Sequence, residues 1–288
     1  MIAGVTCRLC GNNRVPVWFN AWDHAIYACH KCDFMFALPL AGTQKLLYEP
    51  EYYSEFIERD KQADMLQFYF GVLEELKRMT PGRRLLDAGC GVGSFLHFAE
   101  QLGWSVIGID ASKAAVRYAA ETHHLDVVLA DLNEYELPQN AYDVIWAFHT
   151  VEHLSDPIHF IKSAAAALKP DGLFYLGLPF YPCTRIRFHQ LLFSMGIANH
   201  PFNFNLPDHV SYFNRKTIHR ALSDAGLEAV RSWLTAKMTL AELFSTAKQS
   251  AGMRKAIGSA ISPFDKVFGK LGHFQHINVI ARKRQPAI

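Results

Sequence analysis

The sequence predicts an α/β fold preceded by a small metal-binding module, and three observations predict it. From about residue 82, short aliphatic and β-branched runs alternate with helical periods, the pattern of a parallel sheet covered on both faces. A glycine-rich turn, Gly89-Cys90-Gly91-Val92-Gly93, joins the first of those strands to a helix. Four of the six cysteines fall within the first 32 residues, in two C-x-x-C pairs.

The pairs Cys7-x-x-Cys10 and Cys29-x-x-Cys32 stand eighteen residues apart, the spacing of a zinc ribbon. Two thiolates on one tight turn can face a single ion, and a second such turn completes a tetrahedral site soft enough for zinc. All four positions are filled, so the expected ion is structural. A piece of about 40 residues buries too little surface to fold alone. The metal would supply the missing free energy, with a β-hairpin between the turns and Trp18, Phe19, Tyr27, Phe34 and Phe36 as apolar filling. The alternative is a pair of disulfides, which the absence of an export signal disfavours. Few basic residues accompany the cysteines (Arg8, Arg14 and Lys31), which suggests docking or scaffolding rather than a grip on nucleic acid.

Composition bounds the rest. In 288 residues, half hydrophobic and 19% charged, 29 Lys+Arg stand against 27 Asp+Glu, a net charge of +2. That is too little for the broad basic footprint of a nucleic-acid-binding protein. No apolar run approaches the roughly 20 residues needed to cross a bilayer, and the expected location is the cytosol.

Along the chain, Tyr48-Glu-Pro-Glu-Tyr-Tyr53 leads into a helix expected from about Phe56 to Met79, which Pro81-Gly82 ends. The predicted elements then run Leu85-Leu86 (strand), Ser94 to Leu102 (helix), Trp104 to Ile109 (strand), Lys113 to Thr122 (helix) and Val127 to Leu129 (strand). They continue with a strand at Tyr142 to Phe148, a helix from Pro157 to Leu168 capped by Asp156, and a strand at Leu173 to Leu178. A helix from about Thr217 to Ala225 and strands at Leu227 to Leu234 and Ile277 to Ala281 complete the set. Two stretches interrupt the rhythm. Residues 181–215 are rich in aromatics and imidazoles (Phe188, His189, Phe193, His200, Phe202 and Phe204 among them). Residues 236–272 read as a basic amphipathic helix with six Lys or Arg against two acids; packing on the domain is favoured over a membrane surface.

The glycine loop raises the question of which ligand it holds. A dinucleotide fingerprint is G-x-G-x-x-G with a pyrophosphate at the helix N-terminus. Here the third glycine comes one residue early and Asp87 stands two residues before the first. A carboxylate there would repel a pyrophosphate but suits a ligand carrying an ammonium and a sulfonium. Asp87-x-Gly89-x-Gly91-x-Gly93 resembles motif I of the class I S-adenosylmethionine-dependent methyltransferases, and the resemblance extends over roughly residues 80–283. It implies a Rossmann-like, mostly parallel sheet of seven strands with the last one antiparallel. It also implies a donor site made by Asp87, Gly89, Cys90, Gly91 and Gly93, by Asp110 (with Ala111) on the ribose hydroxyls, by Asp131 and Leu132 beside the adenine, and by His149 as a wall. Later segments of the family are matched by Lys169-Pro-Asp-Gly172 before the fifth strand and by Ala225-Gly-Leu227. Taken alone, Asp131 reads equally well as a helix cap.

For the acceptor end, Asp208-His209-x-x-Tyr212 resembles the acid-His-x-x-Tyr element of sugar C-methyltransferases, which also carry an N-terminal four-cysteine zinc module. It implies catalytic roles for His209, Asp208 and Tyr212, with the imidazole taking a proton near neutral pH. The equal alternative is that His209 ties down the loop. Those enzymes have a further C-terminal domain where this sequence ends at Ile288, and position 208 is Asp where the element has Glu. Two other patterns are decoys. His149-Thr-Val-Glu152-His153 spells a zinc-hydrolase signature, but it is predicted to be a loop rather than the helix that chemistry needs. Pro182-Cys183 resembles the nucleophile of cytosine-C5 methyltransferases, but only Arg185 is near to lower the thiol's pKa, and an inert cysteine is the favoured reading.

The expected organisation is a zinc ribbon at 1–40, a linker and a helix over the cofactor site at 41–80, and a methyltransferase domain at 81–288 with cap insertions at 181–215 and 236–272. The expected function is methyl transfer from S-adenosylmethionine to a small-molecule acceptor, such as a sugar, nucleotide sugar, polysaccharide or natural-product precursor. An RNA methyltransferase gripping substrate with its ribbon, or a non-catalytic scaffold that keeps the cofactor fold, are the competing readings.

Overall fold

The computed structural model describes residues 5–21, 23–39, 63–181, 195, 206–235 and 276–284. Cys183, the Tyr48–Tyr53 run, the aromatics and imidazoles from Phe188 to Phe204, and the basic stretch 236–272 lie outside the described residues.

Each C-x-x-C pair forms the same closed turn. The amide four residues past the first cysteine returns to its carbonyl, Gly11 to Cys7 at 2.9 Å and Asp33 to Cys29 at 2.8 Å. The amide of that first cysteine donates one residue further on, Cys7 to Asn12 at 2.8 Å and Cys29 to Phe34 at 2.9 Å. Gly11 (φ 71°) and Asp33 (φ 66°) take the left-handed conformation this closure needs. Between and after the turns lie strands β1 (Val17–Ala21), β2 (His24–Ala28) and β3 (Met35–Pro39), antiparallel in order. Phe34 and Phe36 are buried and Tyr27 stacks on Phe36 at 5.3 Å, as expected, with Ile26 an unforeseen member of the filling. Trp18 corrects the expectation: it is 44% exposed. It lies on the edge strand where the register shifts between Val17 and Phe19, and that bulge re-aims the side chain.

Helix α1 (Ala63–Met79) precedes the alternating region, and Tyr69, Val72, Leu73 and Leu76 form its buried stripe. Then follow β4 (Arg84–Ala88), α2 (Ser94–Gln101), β5 (Ser105–Asp110), α3 (Lys113–His123), β6 (Val127–Leu129) and β7 (Tyr142–Phe148). A 3-10 turn (Val151–His153) leads to α4 (Pro157–Ala167) and β8 (Leu168–Pro179). The chain continues with β9 (Ser211–Tyr212), α5 (Arg215–Asp224), β10 (Leu227–Thr235) and β11 (His276–Lys283). The seven-stranded sheet runs β10-β11-β8-β7-β4-β5-β6. Its five strands from β4 to β8 are parallel, and β11 is antiparallel to both neighbours.

Strand alternation builds a core on each face. Leu85, Val144, Trp146, Leu173 and Tyr175 meet α1 and α2 on one side. Leu86, Ile145, Ala147, Phe174 and Leu176 meet α4 and α5 on the other. Trp146 stacks between Phe95 at 4.1 Å and Tyr175 at 3.9 Å, which fixes α2 over the sheet. Asp156 accepts the amide of His159 at 3.1 Å and caps α4 as predicted. Strand β8 begins earlier than the expected Leu173, because the Lys169–Gly172 turn is absorbed as a bulge between the pairs Tyr142–Leu168 and Val144–Leu173.

The two sheets are joined. Strand β9 adds to β3 with Phe36 opposite Ser211 and Met35 opposite Tyr212. Phe34 meets Phe213 at 4.9 Å, and Cys7, Cys29, Cys32, Phe34 and Phe36 share one continuous core with Phe213 and Ile218. Among the described residues, no helix is long and apolar enough to cross a membrane.

Candidate active site

The glycine turn leaves β4 at the carboxyl edge of the sheet, where open α/β sheets bind ligands. The amides of Gly89 and Cys90 both donate to the carbonyl of Ile109, at 2.8 and 3.0 Å, and this ties the turn to β5. Gly89 has φ 81°, and a Cβ there would lie 2.5 Å from the Thr150 hydroxyl oxygen, so only glycine fits. Thr150 in turn donates to the carbonyl of Ala88 at 2.7 Å. At Gly93, φ 79°, a Cβ would meet Leu125 at 2.7 Å, which lets α2 start hard against α3.

Asp110 ends β5. Its Oδ2 accepts the Gly91 amide and its Oδ1 the Ser112 amide, both at 2.8 Å. This aims the carboxylate and leaves each oxygen with acceptor capacity for a pair of hydroxyls. Burial raises its pKa above the ordinary value, against the pull of those two amides and of His153. Asp87 is 4% exposed at the end of β4. The thiol of Cys90 is pushed well up by burial and by the charges of Asp87 and Asp110, which makes Cys90 a packing group rather than a nucleophile. Ala111 is exposed beside Asp110. At the end of β6, Asp131 Oδ1 accepts the amide and the side-chain nitrogen of Asn133 at 2.9 and 2.7 Å, a turn-capping arrangement, and Leu132 is buried next to it.

The other end of the site gathers five residues from three segments. His149 follows β7 with a left-handed φ of 56°, a conformation that costs about 1–3 kcal/mol for a non-glycine residue and is typical of functional positions. Its amide donates to Gly177 at 2.7 Å, and its Nδ1 donates to Glu152 Oε1 at 3.1 Å. Glu152 has no exposed surface. Burial pushes its carboxyl up, but the His149 hydrogen bond and the surrounding imidazoles outweigh that and bring it to about 2. His153 Nδ1 donates to the carbonyl of Asp208 at 2.9 Å, and the His153 and His209 rings meet edge to face at 4.8 Å. His209 Nδ1 lies 3.2 Å from Tyr181 Oη. Burial, with His153 and His149 adding and Glu152 opposing, lowers His209 to about 4, so its imidazole is neutral near pH 7.

Of the predicted acceptor-end residues, His209 packs with Glu152, His153 and Tyr181. Asp208 contributes its carbonyl, to His153. Tyr212 is buried and donates its hydroxyl to the carbonyl of His209 at 2.7 Å, bracing the loop. Sequence reasoning missed Glu152, His153 and Tyr181 as partners of His209. Glu152 and His153 stood out in the sequence through the H-x-x-E-H pattern, and that segment is indeed no α-helix but one 3-10 turn.

In the N-terminal module Cys7 Sγ lies 3.6 Å from Cys32 and Cys10 Sγ 3.5 Å from Cys29, with the Asn12 amide 3.7 Å from the Cys29 sulfur. Four thiolates at about 2.3 Å from one tetrahedral ion are about 3.8 Å apart, close to what is seen. None of the four is in a disulfide. Burial raises Cys7 to about 11, whereas at Cys29 the amides of Lys31 and Cys32 overcome burial and lower it to about 7. Such a cluster can hold zinc.

The fold is that of class I S-adenosylmethionine-dependent methyltransferases. The match to the family described as "Methyltransferase domain" covers residues 57–232, and the chain belongs to that family. It is 30% identical over 158 residues to a "Probable S-adenosylmethionine-dependent methyltransferase" of Mycolicibacterium smegmatis, covering 54% of this chain and 56% of that protein. It is 38% identical over 96 residues to a ubiquinone biosynthesis O-methyltransferase of Bradyrhizobium diazoefficiens, 32% of this chain and 38% of that one. The chain thus spans about half, or less, of the length of these curated relatives. A solved S-adenosylmethionine-dependent methyltransferase of Archaeoglobus fulgidus shares the fold with a TM-score of 0.52 and 22% identity, over 81% of this chain and 100% of that one.

Proposed function

We propose that the protein transfers a methyl group from S-adenosylmethionine to an oxygen of a small hydroxylated acceptor, of the sugar, nucleotide-sugar, polysaccharide- or natural-product-precursor class. The observation that carries this reading is the placement of His209, whose ring meets His153 edge to face at 4.8 Å and whose Nδ1 lies 3.2 Å from Tyr181 Oη, beside buried Glu152. The donor supplies an electrophilic methyl on a sulfonium. Asp87, Gly89, Cys90, Gly91 and Gly93 would hold its amino-acid end, Asp110 with Ala111 its ribose, Asp131 and Leu132 its adenine, and His149 would wall the sulfonium. These residues fit because the glycine turn is bare backbone and both Asp110 oxygens are already aimed.

As the acceptor oxygen bonds to the methyl carbon, the S–C electron pair stays on sulfur and the acceptor proton passes to His209. Tyr212 and the Asp208 carbonyl hold the loop that presents the imidazole. The four cysteines bind a structural zinc. The O-methyltransferase relatives support the choice of oxygen. An acceptor screen read by release of S-adenosylhomocysteine tests the reading, with the product's methyl located by NMR. A methyl on oxygen, with His209→Ala lowering kcat by about 10²–10⁴-fold at unchanged donor affinity, is the expected result. A methyl on carbon or nitrogen would contradict it.

A further inference from the structure

We propose that Glu152, His153 and His209 form a second metal site, for a catalytic divalent cation at the acceptor end, distinct from the four-cysteine site. The three residues each offer a ligand atom, and these atoms lie within 4.8 Å of one another. Two imidazoles and one carboxylate are the donor set of open catalytic sites, which keep a coordination position for water or substrate.

Three further observations point to a ligand. Glu152 is fully buried, and while Oε1 accepts the Nδ1–H of His149, its Oε2 has no hydrogen-bond partner. A buried carboxylate oxygen left so is costly unless something cationic meets it. The Nδ1–H of His153 donates to a backbone carbonyl at 2.9 Å, which fixes the tautomer and orientation of the ring. Fixing the tautomer through the second ring nitrogen is how metal-binding histidines are oriented. Finally, the two segments are zipped together in advance: the Val210 amide donates to the Glu152 carbonyl at 2.9 Å and the Ser211 hydroxyl to the Leu154 carbonyl at 3.2 Å. The ligand atoms are therefore held by backbone on both sides, and contraction of up to about 0.8 Å per ligand would bring them to coordination distance.

The site's purpose rests on the methyl-transfer reading. A cation with an open position would bind the acceptor hydroxyl and lower its pKa, so that its proton leaves to water and the resulting alkoxide attacks the methyl carbon. His209 accepts the proton in the cation-free enzyme and becomes a ligand in the loaded one.

The test is titration of the full chain, its cysteine site filled with zinc, with Co2+, followed by visible absorption. Wild type is expected to take up one Co2+ per chain with d–d bands and no thiolate-to-cobalt charge transfer. Glu152→Gln and His209→Ala should both lose that absorption, while calorimetric titration with S-adenosylmethionine shows each variant still folded. His209 is only partly buried, so its variant serves if Glu152→Gln fails to fold. Absence of Co2+ uptake by wild type, charge-transfer bands alone, or equal uptake by folded variants would overturn the proposal. Cobalt uptake without S-adenosylmethionine binding in wild type would instead sink the methyl-transfer reading and leave the ion site standing.

Discussion

Phe36 of the cysteine module pairs with Ser211, two residues beyond His209, in one antiparallel sheet. The Ala37 amide extends the pairing to the Val210 carbonyl at 2.9 Å, and Val210 in turn donates to Glu152. A module whose own core is too small to fold alone thus forms one wall of the loop that carries His209.

Metal removal should therefore be felt at the acceptor end. Stripping the cysteine site with a chelator, or substituting Cys29→Ser, is expected to lower the thermal midpoint and to speed hydrogen exchange at the Ala37 and Val210 amides by roughly tenfold or more, since structural zinc supplies folding free energy. Exchange at the Leu86 amide, in the middle of β4, should change far less. Equal protection of Val210 with and without metal would show that the module and the loop are uncoupled.

Gly89→Ala should destabilise the fold by about 1–3 kcal/mol, because the residue sits at φ 81° and the new Cβ would meet Thr150. Thermal denaturation would register this as a drop of several degrees. Gly71→Ala is the control: it lies in α1 with nothing within 4 Å, and alanine should be neutral to stabilising there.

Donor affinity should depend on pH through Asp110. Burial raises its folded pKa, and the carboxylate must be ionised to accept two ribose hydroxyls. A carboxyl with a raised pKa takes up its proton at a higher pH than usual as the solution is acidified. Affinity is therefore lost as pH falls through that raised value, starting above the ordinary aspartate range, and binding lowers the pKa in return. Calorimetry across a pH series checks this, and an affinity that stays flat down to the ordinary range would contradict it.

The turn after β4 and the acid that ends β5 were legible in the sequence because they are local. Asp87 through Gly93 form one turn and Asp110 ends the next strand, so residue order nearly dictates proximity. The sheet's class followed from alternation, and its strand number and last antiparallel strand from the family resemblance. The resemblance singled out His209, Asp208 and Tyr212, but the residues that meet them were not legible, because His153 meets Asp208 across a separation of 55 residues and nothing in the intervening chain announces the contact. The same holds for β9, a two-residue strand too short to leave a period, whose pairing with β3 only the packed structure shows. Trp18 misled for the opposite reason: a large aromatic in a small module reads as core, yet it occupies a bulged edge.

Everything proposed for the acceptor end depends on the turn after β4 and the carboxylate of Asp110 holding S-adenosylmethionine. Calorimetric titration of the zinc-loaded full chain tests this most directly, with Asp110→Ala alongside. Saturable binding of one donor per chain is predicted, weakened about tenfold to a hundredfold or more in Asp110→Ala, as expected for losing charge-assisted hydrogen bonds. A folded wild-type protein that binds no S-adenosylmethionine would contradict the account.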